Sequence, residues 1–375
     1  MLPGAPLTTV ICDQLGIRYP IVLAGMGSSR RGVPTPPALV AAVSEAGGLG
    51  VLGCAGQPAA EIRRRIRAVR DLTRRPFGVG VLLPANLAEV GPDRVAVRAL
   101  LREQYPEHVA FVAQLRQRYG LPEVEAQGPV LSAQFVQEQV AVILEERVPV
   151  LSIGLGDPAW LVGPAHAAGI TLIGLAGSVR QAQRQAAAGV DIVVAQGSEA
   201  GGHTGQVATF PLLPQVVDAV APLPVLAAGG IADGRGLVAA LALGAAGVWC
   251  GTAFLVAEEC GIVPAHQEAI LAATSEQFVV TRAYTGKPAR DVRNEVITAW
   301  EQSGLPPLPM PLQWVLMDDF VAAAEAAGRF DLVNNPAGQI GGMLHERLPA
   351  TAIVERMVAQ ALATLDRLAQ LRGER

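Results

Sequence analysis

Residues 195–205 read AQGSEAGGHTG, placing one imidazole, His203, in a run of residues with little or no side chain. An imidazole titrates near neutral pH and suits proton transfer to or from a reacting atom. Glycine at this density costs backbone entropy, so Gly201 and Gly202 must answer a need for room or for unusual dihedrals. Two more glycine turns follow, AAGGIADGRG (227–236) and WCGT (249–252). Gly229 and Gly230 would offer backbone N–H groups to a phosphate with no side chain in the way, and Gly251 with Thr252 would add a second turn and a hydroxyl. Asp233 fits the N-cap of the next helix. Near the start, YPIVLAGMG (19–27) puts Gly25 and Met26 where backbone could approach a flat ring. The other histidines, His108, His166, His266 and His345, lie in helix-like or charged surroundings.

These groups need a scaffold that brings distant loops to one face. A unit of Ala-rich helix, glycine and short β-branched strand recurs at 44–53, 166–175, 186–196 and 242–251. Glycine just past a helix takes the left-handed cap, and the strand follows at once. Further strands read from YPIVLAGM (19–26), PFGVGVLL (76–83), VPVLSIG (148–154) and PLPVLAAG (222–229). Eight strands at crossover spacing predict an α/β fold, a (β/α)₈ TIM barrel, with functional groups at the strand C-termini. A phosphate in such a barrel usually sits at the loops after strands seven and eight. The rest of a flavin mononucleotide (FMN) would then cross the mouth toward strands one and six. Gln196 would hydrogen-bond its ring system, Gly201 and Gly202 would let the chain pass close, and His203 would face the open side of the ring.

The barrel is expected over 1–260, with an insertion after strand three (84–130) that reads as charged helices and could form a lid. The strand pattern ends near residue 258, and 261–375 is expected to be a helical substrate or lid region, broken by GLPPLPMPLQW (304–314). Its last helix, 351–371, could cover the barrel or a partner subunit, so a homodimer is possible. Gly48 to Gly53 matches G-x-G-x-x-G, but a helix precedes the glycines where the dinucleotide fingerprint needs a strand.

Composition excludes several classes. A net charge of −4 gives no basic field for nucleic acid or an anionic membrane. Four cysteines without C-x-x-C pairing argue against a zinc site and suit a reduced, cytoplasmic setting; no metal is expected. The start lacks a signal-peptide pattern. The uncharged run 236–257 is long enough to span a bilayer, but glycines divide it into helix, turn and strand. Lysine occurs once, at Lys287, so there is no phosphate-loop motif and only one Schiff-base candidate.

At these residues the sequence resembles the nitronate monooxygenase family of FMN barrels, whose superfamily includes flavin-type enoyl-ACP reductases and quinone reductases. AQGSEAGGHTG resembles its strand-six signature. That resemblance implies Gln196 and Gly201 as FMN contacts, His203 as catalytic base, Gly230 as a further FMN contact, and Trp249, Cys250, Gly251 and Thr252 as phosphate contacts. YTGKPARDVRNE (284–295) and NPAGQIGGMLHERLPA (335–350) resemble two further family segments. The chain departs from the pattern at Gly80, where relatives place an asparagine, at Trp249 in place of a glutamine, at AGMG and in its longer insertion. The resemblance implies oxidation of an alkyl nitronate or nitroalkane with O₂ to a carbonyl compound and nitrite. The alternative is an NAD(P)H-dependent FMN reductase of enoyl thioesters or quinones. A barrel that binds without catalysis would be colourless and indifferent to FMN.

Overall fold

The structure is a computed structural model that describes residues 7–27, 32–83, 94–127 and 132–371. Eight parallel strands carry the fold: β1 (Ile21–Leu23), β2 (Gly50–Gly53), β3 (Phe77–Leu82), β4 (Val150–Gly154), β5 (Thr171–Ala176), β6 (Ile192–Gln196), β7 (Val225–Ala228) and β8 (Gly247–Cys250). Their spatial order is β1-β8-β7-β6-β5-β4-β3-β2. The circle closes where Val22 bridges Leu49 and the Leu23 N–H donates to the Leu49 carbonyl (2.9 Å). The (β/α)₈ barrel read from the sequence is the fold, and all eight strands fall within the segments read as strands, four of them directly after a helix-ending glycine. Gly189 shows the mechanism: it ends helix Val179–Ala188 at φ +97°, and β6 begins three residues later.

The strands look uniformly apolar because both faces are buried. Inside the barrel Val22, Val51, Ile173, Val194, Leu226 and Trp249 pack together, and helix Val10–Leu15 plugs the lower end with Ile11 and Leu15. The outer faces pack on the ring of helices. Gly50 belongs to this layer. A Cβ there would lie 2.1 Å from the Val40 carbonyl oxygen, so the G-x-G-x-x-G match reflects close helix–strand packing.

The uncharged run 236–257 contributes to helix Gly234–Ala242 and contains β8 and one helical turn, Thr252–Leu255. Among the described residues no helix is long and apolar enough to cross a membrane.

A second core lies outside the barrel. Helices Arg94–Gln104 and Pro106–Arg118, from the insertion after β3, pack on helix Leu312–Ala326 through Val97, Leu101, Val112, Leu115, Val315 and Phe320. The buried ion pair Arg94–Asp318 (2.7 Å) and the half-buried pair Arg98–Asp319 (2.7 Å) fix the seam. Residues 84–93 and 128–130 of the predicted insertion lie outside the described residues.

The expectation that strands cease near 258 is corrected. Phe278–Thr281 and Ala289–Val292 form an antiparallel pair, and Gly202–His203 adds to the latter as a third strand. The pattern was hidden because two consecutive buried positions of that pair, one on each face, are charged: Arg290 is 7% and Asp291 1% exposed. Gly261–Ile262 also pairs with Gly32–Val33.

The segment 261–375 is thus shared between the two cores. Its last helix, Ala350–Leu371, packs on the barrel helices Gly234–Ala242 and Pro37–Glu45, in the eighth place of the ring. Backbone approach is close there: a Cβ on Gly234 would lie 2.1 Å from the Ala361 nitrogen.

Candidate active site at the barrel mouth

His203 follows β6 by seven residues and is held by β-pairing with Ala289. Its Nε2 lies 3.3 Å from the Thr285 hydroxyl. Burial, and then the positive charge of Lys287, push its pKa down from 6.5 to about 4. The ring is therefore neutral at pH 7 and keeps an unprotonated nitrogen, the state a general base requires. Of the other histidines, His166 pairs with Asp191 (3.1 Å), His108 meets the Pro306 carbonyl (2.9 Å), His266 is buried and His345 is exposed.

Gln196, at the end of β6, donates its amide to the His203 carbonyl (2.8 Å). The expectation that this amide serves a ring system is thereby narrowed to its oxygen, since the nitrogen braces the histidine loop. Gly201 and Gly202 also divide. A Cβ on Gly201 would lie 2.6 Å from the Ala337 carbonyl carbon and 2.7 Å from the Gly338 nitrogen, so its space is filled by the 335–350 segment. Gly202, at φ +67°, would meet nothing within 4 Å.

The β7 turn is open. Gly230 is exposed at φ +75°, and a Cβ there would meet nothing nearer than 3.8 Å. Gly229 is tighter, with the Gly197 carbonyl oxygen 2.9 Å from its Cβ position. Among the described residues neither Gly229 nor Gly230 donates its N–H to an acceptor. Asp233 accepts from the Arg235 (2.9 Å) and Gly236 (3.4 Å) N–H groups, as an N-cap should. Two free donors on an exposed glycine turn fit an anionic, phosphate-bearing ligand.

At β8 the four sequence candidates separate. Trp249 and Cys250 are core side chains, 5% and 2% exposed, and could offer only backbone. Gly251 leaves space, its nearest neighbour being the Met26 sulfur at 3.5 Å from a Cβ position. Thr252 accepts from the Gly338 N–H (2.8 Å), so its hydroxyl docks the 335–350 segment. Met26 and Gly251 are brought together at the neighbouring ends of β1 and β8, while Gly25 packs on β2, with Val51 Cγ1 2.9 Å from its Cβ position.

Several residues escaped the sequence reading. Glu199 accepts from the Thr209 N–H (2.9 Å) and hydroxyl (2.9 Å), closing the β6 loop on its own helix. Arg290 donates to the Ser198 carbonyl (2.8 Å) and reaches the Phe278 carbonyl, tying that loop to the outer sheet. Arg65, 1% exposed, donates to the Gly53 (3.0 Å) and Thr35 (2.8 Å) carbonyls beside the Met26 loop. Glu199 stands inside the quoted motif and Arg290 inside YTGKPAR. Arg65 gives no signal, because in an arginine-rich helix nothing marks the one that turns inward.

The family model for nitronate monooxygenase matches residues 8–360. A Mycobacterium tuberculosis chain assigned as a monooxygenase is 40% identical over 96% of this chain and 98% of its own length. Nitroalkane oxidase from Streptomyces ansochromogenes has a similar structure, with TM-score 0.80 and 32% identity over 96% of this chain and 99% of that one. FabK from Thermotoga maritima matches with TM-score 0.76 and 31% identity, over 97% of this chain and 99% of its own.

Proposed function

The chain belongs to the nitronate monooxygenase family, and from that premise we propose that it oxidises alkyl nitronates, or the parent nitroalkanes, with O₂ to a carbonyl compound and nitrite. FMN is the proposed cofactor. It would supply the one-electron chemistry that lets a nitronate react with dioxygen. The Gly229 and Gly230 N–H groups would hold its phosphate, Gly251 and Met26 would border it, and the open side of Gly202 would leave room for its ring.

His203 carries the reading. Its unprotonated ring nitrogen takes the α-proton of a neutral nitroalkane, or orients a nitronate already ionised. Thr285 and the Gln196 brace hold the imidazole in place, so little is lost to reorientation. Asn at 203 keeps the polar contacts but cannot accept the proton. We expect His203→Asn to retain the flavin spectrum and lose at least about a hundredfold in kcat with a neutral nitroalkane. Unchanged turnover removes the assignment.

The likeness to FabK favours one second reading, an NAD(P)H-dependent FMN reductase of enoyl thioesters or quinones. Anaerobic mixing separates the two. Bleaching of the bound flavin by NADH or NADPH supports the reductase, and bleaching by a nitronate alone supports the monooxygenase.

A further inference from the structure

Lys287 is the single lysine of a chain with 28 arginines. It lies in the turn between strands Phe278–Thr281 and Ala289–Val292. Two backbone constraints press that turn against the histidine: Ala289 pairs with His203, and the Thr204 N–H donates to the Pro288 carbonyl (3.3 Å). The Thr285 hydroxyl ties them further, since it is 3.3 Å from both His203 Nε2 and the Lys287 N–H.

Lys287 is half-buried, and among the described residues no carboxylate lies within ion-pair distance of its ammonium. Buried cations elsewhere in the chain are compensated: Arg94 pairs with Asp318 and Arg98 with Asp319, while Arg65 and Arg290 donate to backbone carbonyls. An ammonium partly withdrawn from water without a counter-charge is costly, and an anion from outside would offset that cost. His203, neutral at pH 7, cannot supply the positive charge.

We propose that the Lys287 ammonium binds the anionic oxygens of the substrate beside His203 and so makes the site prefer the ionised nitronate to the neutral nitroalkane. This rests on the nitronate reading above. The division of labour is complete: one group holds the anion, and its neighbour handles the proton. A lysine suits the task because its compact charge needs no fixed fork of donors.

The test compares wild type with Lys287→Gln, Lys287→Met and Lys287→Arg, using ethylnitronate and nitroethane as substrates. Nitrate serves as an unreactive anion in calorimetry. In the Gln and Met variants KM for ethylnitronate should rise at least tenfold, with kcat falling less than threefold. Nitrate affinity should fall at least tenfold and KM for nitroethane should move less than twofold. Lys287→Arg should restore ethylnitronate KM to within threefold. Removing the charge should also move the acid limb of kcat/KM for nitroethane to higher pH, because His203 loses one source of its depression. Equal changes for both substrates would mark a structural role and overturn the proposal, as would unchanged nitrate affinity. A wild type that binds nitrate through Lys287 but never turns over ethylnitronate would sink the nitronate reading and leave the anion site standing.

Discussion

At Gly230 an added methyl would meet nothing nearer than 3.8 Å, whereas at Gly201 it would press into the Ala337–Gly338 backbone at 2.6–2.7 Å. Both glycines lie in loops at the same end of the barrel, after β7 and β6. One loop keeps open space and, among the described residues, free N–H groups for something that comes from outside. The other is already filled, by a segment more than a hundred residues further along the chain. Thr252 and Glu199 complete that packing, through the Gly338 N–H (2.8 Å) and the Gln339 N–H (3.0 Å). The loop that carries His203 is thus built from the tail as much as from the barrel. An open turn can bind; a filled loop can position.

The sharpest way to break this contrast is Gly201→Ala. Backbone lies on the far side, so no flexible side chain can swing aside, and overpacking of this kind should cost about 3 kcal/mol. Urea unfolding should show that loss, and turnover should drop more than tenfold because His203 stands two residues on. A variant as stable and as active as wild type would mean that the tail does not hold the loop.

Gly230→Ala should cost less, about 1–2 kcal/mol, from the left-handed dihedral alone. Its larger effect should fall on the ligand. Fluorescence titration is expected to show FMN binding weakened by at least tenfold, with the remaining holoenzyme turning over near the wild-type rate. Should both alanine variants lose equal stability and neither lose FMN affinity, the two loops would not differ in kind.

The same contrast explains how far the sequence could be read. All eight strands were legible, since buried parallel strands are uniformly apolar and a glycine cap precedes several of them. The positions of His203 and of the glycine turns at the barrel mouth were legible because loops after particular strands converge by topology. The outer sheet was not, as Arg290 and Asp291 are buried where a strand pattern would show apolar residues. Glycine identity also conceals its cause: Gly201 and Gly202 are neighbours, yet one is packed and the other open. Only the long-range contact with Ala337 separates them. Lys287 was noticed for the reactions its rarity forbids, and its place beside His203 required the pairing of Ala289 with that residue.

The last expected effect concerns protons. His203 has a pKa of about 4 in the folded protein against 6.5 as its ordinary value, chiefly because it is buried. Between those values the unfolded chain binds a proton that the folded chain refuses, so this group's contribution to stability is complete above pH 6.5 and declines as pH falls toward 4. Asn at 203 does not titrate. The unfolding free energies of wild type and His203→Asn, measured in urea at pH 7.5 and pH 5, should therefore differ in a pH-dependent way, with wild type losing ground at pH 5. A constant offset would show the imidazole as well solvated in the folded state as in the unfolded one, and the β6 loop would then be as open as the turn at Gly230.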